Sequence, residues 1–168
     1  MAKVELDAHW FPLIVQRWPA VLTEPDLQGF FQALDEVARR ALRSSTYYVV
    51  VVVGPLATLD AGQRRRVAKS VRDMPRELRE RNVGTFIIVG SSMQRGVIAA
   101  LRWVVPELRD VTAVDSVELA VKQALATLEA KAVPAPGSDA EIIRYIVERG
   151  TGWPPPGSQF PPRGQRLI

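Results

Sequence analysis

The chain has 168 residues, 47% of them hydrophobic and 24% charged, with a net charge of +4. That is one ordinary domain with an appendage, large enough for a full apolar core. The absence of cysteine excludes disulfides, thiolate nucleophiles, Cys-ligated zinc and iron–sulfur clusters, and the single histidine, His9, excludes a multi-histidine metal site.

Residues 1–7 are mixed in charge and lack an apolar centre, so no secretory signal is expected. No stretch approaches the length of a membrane span, and the expected location is the cytoplasm. His9 falls in what reads as a partly ordered N-terminal lead. Trp10 to Trp18 reads as a first strand, with Pro12 marking an edge or a strand start. Thr23, Pro25 and Asp26 then supply an N-cap, a first-turn proline and an acid for the helix dipole. The helix they open runs to about Arg43.

Tyr47 and Tyr48 followed by Val49 to Val53 form an unbroken apolar run with no polar alternation. Such a run describes a strand buried on both faces, the environment at the centre of a parallel sheet. Asp60, with Gln63 three residues on, caps the next helix. Its core stripe is Val67, Val71, Met74 and Leu78, and Pro75 should kink or split it near Asp73. Val83 to Gly90 is a buried strand, and Ser91 or Ser92 caps a helix from Met93 to Val105. Val111 to Val114 is a short strand, Asp115 an N-cap, and Val117 to Ala130 an amphipathic helix. The expected class is therefore α/β: a mainly parallel sheet of about four strands with four packed helices, in two or three layers. This unit covers 1–130, followed by a linker at 131–138, a C-terminal helix at 139–150 and a proline-rich extended tail at 151–168.

Several stretches resemble a large bacterial group of small STAS-like domains, relatives of the anti-sigma-factor antagonists. They are Trp10 and Pro12, Leu22-Thr23, Gln63 to Arg66, Arg95 to Ile98 leading to Trp103, and Asp115 to Ala120. The likeness spans about Trp10 to Ala130 and rests on fold and packing patterns; most of that looser group has no known activity, and the resemblance implies none here. In the regulatory antagonists the loop after the central strand carries an Asp-Ser-Ser-Gly motif whose first serine is phosphorylated. Here the match is Asp60-Ala61-Gly62, one residue short, and Ala61 has no hydroxyl. The resemblance thus implies a degenerate phospho-switch at Asp60 and Ala61, with Thr58 the nearest hydroxyl.

Asp60 to Arg81 holds eight cations and four anions, which accounts for the whole net charge. On a wheel of about 100° per residue, Arg65, Lys69, Arg72, Arg76 and Arg79 lie within about 40° of one line. They form a candidate surface for an anion or a partner, against the alternative of a solvated face laced with weak salt bridges. No aromatics interleave with these cations, which disfavours nucleic acid. Gly90-Ser91-Ser92 could present amides to an anion or simply cap its helix. Trp103 reads either as an interface hot spot or as a residue buried under a neighbour. Ile142, Ile143, Tyr145 and Ile146 make the C-terminal helix too apolar to stand in solvent, so it must dock on this domain, a second copy or another protein. The tail beyond is either disordered or an extended strap.

No catalytic residue, metal or cofactor is assigned. The expected function is a non-enzymatic interaction or regulatory scaffold that self-associates or binds a protein through the C-terminal helix and tail. The alternative is a module for acidic lipid or a small apolar ligand, using the basic helix and a sheet–helix cavity.

Overall fold

The computed structural model describes residues 4–54, 59–92, 94–96, 98–99 and 110–149. Five strands lie side by side in chain order: β1 (Glu5–Asp7), β2 (Leu13–Arg17), β3 (Tyr48–Val53), β4 (Asn82–Ile88) and β5 (Val111–Val114). β1 runs antiparallel to β2, and every later pair is parallel. The helices are α1 (Glu24–Arg43), α2 (Ala61–Asp73), α3 (Arg76–Arg79), α4 (Val117–Ala130) and α5 (Asp139–Glu148). Helical residues at 92, 94–96 and 98–99 lie between β4 and β5.

The valine run is the central strand, buried at every position. Successive side chains leave a strand on opposite faces, and the packing follows that rule. Val49, Val51 and Val53 join Leu13, Val15, Phe86 and Val114 under α4 and α5. Tyr48, Val50 and Val52 join Ile14 under Val37, Ala38 and Ala41 of α1 and Leu78 of α3. The architecture is thus three layers, helices on both faces of a mixed sheet. A third cluster of Val4, Leu22, Leu27 and Phe30 joins the start of the chain to α1, with Val67 of α2 packed against it.

β1 is a fifth strand where about four were expected. Its sequence, Glu-Leu-Asp, has no β-branched residue and offers no local signal. It forms because β2 presents a free edge, where Glu5 pairs across from Arg17 and Asp7 from Val15. Burial holds the Arg17 guanidinium below its usual pKa, and the Glu5 charge opposes that shift. Charged residues on so short an edge strand also discourage pairing with another sheet. Pro12 stands just before β2, where its missing N–H costs nothing while its carbonyl accepts from the Val49 amide at 3.0 Å.

The cap signals agree with the structure at α1 and α2, where Thr23–Asp26 and Asp60–Gln63 form reciprocal capping boxes. At α4 the cap is Ser116, not Asp115. β5 runs through Val114 and the helix opens at Val117, so the residue before the first turn is Ser116, whose Oγ accepts from the Leu119 amide at 3.2 Å. Asp115 pairs instead with Arg95. Pro75 splits its helix as expected: α2 ends at Asp73, Met74 is extended, and α3 begins at Arg76.

Residues 131–138 have a linker's composition but are packed. Val133 is buried in the core cluster beneath α4 and α5. Gly137 lies against Trp10 so closely that a Cβ there would stand 2.5 Å from the indole Cζ3.

Candidate interaction surfaces

α2 owes little to the core. Its buried residues are Gln63 and Ala68, and the expected stripe of Val67, Val71 and Met74 is only half-buried. Gln63 does two jobs: its Oε1 accepts from the Asp60 amide at 3.0 Å, and its Nε2 donates to the Leu22 carbonyl at 2.8 Å. The second contact, to a residue 41 positions away, had no sequence signal.

The exposed side of α2 carries Arg64, Arg65, Arg66, Lys69 and Arg72. Arg64 donates to the Leu59 carbonyl at 2.8 Å, and Arg66 pairs with Glu24 of α1 at 2.6 Å. Lys69 pairs with Asp73 one turn on. Arg65 and Arg72 have no carboxylate partner among the described residues. On α3, Arg76 pairs with Glu80 at 2.6 Å, and Arg79 donates to the Val71 carbonyl at 3.3 Å. The five cations expected on one continuous line are therefore divided by the break at Pro75. Arg65, Lys69 and Arg72 remain together on α2.

α5 docks on its own domain, the first of the three arrangements open from sequence. Ile142 is 0% and Ile146 3% exposed, both within the main core cluster, while Ile143 and Tyr145 are half-buried at its margin. Val147 is left 55% exposed. Ile142 and Ile146 are thus buried in the chain's own core, against α4, and are not free for another molecule. A capping box of Ser138 and Glu141 starts the helix, and those hydrogen bonds hold the Glu141 carboxyl below its usual pKa.

Around Tyr145 stands a cluster that sequence reasoning missed. Its hydroxyl donates to Asp7 Oδ2 at 2.7 Å, and its ring stacks on His9 at 4.9 Å between centroids, 7° from parallel. Trp10 meets both rings edge-on, and the Arg149 guanidinium lies 4.4 Å from the Tyr145 centroid. Burial first, then the Asp7 carboxylate, pushes the Tyr145 phenol above its usual pKa. His9 is therefore part of the seat that receives α5, not a residue of a loose lead. The buried Trp10 Nε1 finds no hydrogen-bond partner among the described residues. Tyr145→Phe is expected to lower stability by about 1 kcal/mol through the lost hydrogen bond, read as a lower urea midpoint. An unchanged midpoint would contradict the contact.

Asp60 spends its carboxylate on the Gln63 amide at 2.8 Å, and Ala61 is the exposed first residue of α2. Thr58, Trp103 and the proline-rich tail at 151–168 lie outside the described residues. Ser91 Oγ accepts from the Gln94 amide at 3.2 Å, which is the capping role. A shallow open depression of about 500 Å³ lies between α4 and the 131–138 connection, lined by Lys122, Leu125, Glu129, Val133, Pro134 and Asp139. Its walls come from the outer side of α4 and not from the sheet. Among the described residues no three His, Asp or Glu side chains gather as metal ligands, and no helix is long and apolar enough to cross a membrane. No family model matches this chain, and it matches no curated protein and no solved structure.

Proposed function

We propose that this chain is a non-enzymatic STAS-like interaction module. It engages protein, in the first instance a second copy of itself, through the outer side of α5 and the proline-rich segment that follows. The observation that carries this reading is the division of labour on α5. Ile142 and Ile146 bury one side of the helix in its own core, while Val147, near the end of the helix, stays 55% exposed. A docked helix with an apolar outer residue can present a contact surface without ordering itself anew on binding, which lowers the entropic cost of association. The STAS-like part of the reading rests on the stretches between Trp10 and Ala130. Its scaffold character rests on Ala61, which lacks the hydroxyl that a phospho-switch would need.

The test is capture of a tagged copy by an immobilised full-length chain. Because α5 belongs to the core, the informative truncation ends at Arg149 and leaves that helix in place. Both the truncated chain and Val147→Glu are expected to lose capture by tenfold or more, about 1.4 kcal/mol, while keeping the melting temperature. Capture that is absent in the full-length chain, or unchanged in both variants, would refute the reading.

A further inference from the structure

We infer that the exposed side of α2 is a docking surface for an anionic phospholipid membrane, separate from the α5 surface and in the other helix layer. Three observations carry it.

The first is charge placement. α2 holds five cations (Arg64, Arg65, Arg66, Lys69, Arg72) against one anion, Asp73. That net +4 equals the net charge of the whole chain, so all other residues together sum to zero.

The second is that helix stability does not account for this charge. The N-terminus of α2 is already served by the Asp60 cap and its capping box with Gln63, and the three consecutive arginines that follow, Arg64 to Arg66, stand near the end of the helix where cations oppose the dipole.

The third is shape. Arg65, Lys69 and Arg72 form one row, about 10 Å long at 1.5 Å per residue, on the exposed outer side of the helix. Arg64 and Arg65 each donate to a carbonyl of their own chain, Leu59 at 2.8 Å and Ala61 at 3.2 Å, and Arg66 lies against Glu24, all with their side chains still exposed. A row that faces outward along one helix fits a plane of headgroups. The exposed residues of α2 also include no large apolar side chain, whereas protein interfaces are built around an apolar centre. The Lys69–Asp73 pair is no obstacle, since both side chains are mostly exposed and such pairs contribute almost nothing measurable.

The experiment is partitioning of the purified full chain onto vesicles of phosphatidylcholine alone or mixed with phosphatidylglycerol, at low and high salt. The chain should bind the anionic vesicles and not the neutral ones, and binding should fall with salt as exposed charges are screened. Each cation near an anionic surface contributes about fivefold in partitioning. Arg72→Gln should therefore cost about fivefold, and Arg65→Gln, Lys69→Gln and Arg72→Gln together about a hundredfold. All three side chains are exposed, so the melting temperature should hold. A control with the same charge change elsewhere, Arg43→Gln, Lys122→Gln and Arg144→Gln, should lose at most a few-fold. Equal binding to neutral vesicles, equal losses in the control, or tighter binding to duplex DNA than to anionic vesicles would each overturn the proposal.

Discussion

Replacing Ile142 with alanine is expected to destabilise the entire domain, not just its C-terminal helix. Ile142 is fully buried among Val15, Val51, Ala124 and Leu128 in the largest core cluster. Deleting a side chain of this size from a packed core costs about 2–5 kcal/mol, a large part of a typical total of about 5–15 kcal/mol. For a chain of this length that lowers the melting temperature by roughly 10 °C. Val147→Ala, on the exposed side of the same helix, should change stability by about 0.5 kcal/mol or less. A thermal melt of the two variants decides it. If Ile142→Ala melts like the parent, α5 is not buried in its own core.

Gly54→Ala is the second large effect, and it acts through the backbone. Gly54 follows the central strand with φ +110°, a conformation that L side chains rarely adopt, and an added Cβ would stand 2.4 Å from the Trp18 carbonyl oxygen. The two backbones are held together there by the Trp18 amide, which donates to the Val53 carbonyl at 3.0 Å. Backbone strain of about 1–3 kcal/mol adds to an overpacking cost of about 1–3 kcal/mol, so a loss of about 4 kcal/mol is expected. A denaturation midpoint equal to that of the parent would mean that the exit from β3 is not held against Trp18.

The features legible in sequence were those encoded in consecutive residues. Val49 to Val53 announced a strand buried on both faces, Thr23 and Asp60 announced their helices, and Pro75 announced a break. What escaped depends on partners distant in the chain. Glu5–Asp7 becomes a strand because β2 offers it an edge, and His9 gains a place because Tyr145 lies over it. Residues 131–138 read as a linker because proline, alanine and glycine dominate them, yet Val133 and Gly137 are packed by α4 and Trp10. The apolar stripe of α5 was visible as a demand for burial, but nothing local to it could say which surface would meet the demand. The basic line was visible too. A helical wheel assumes a continuous helix, so it joins Arg76 and Arg79 to the row on α2, and the turn at Pro75 separates them.

α5 is buried within its own chain, and the proposed association uses its outer side and the segment beyond. Hydrogen–deuterium exchange across a range of protein concentrations separates the two. Amides 142–146 should be equally protected at every concentration, because their burial is intramolecular, while amides from 147 onward gain protection as the concentration rises. Protection at 142–146 that itself grows with concentration, or no gain anywhere beyond 147, would contradict the account.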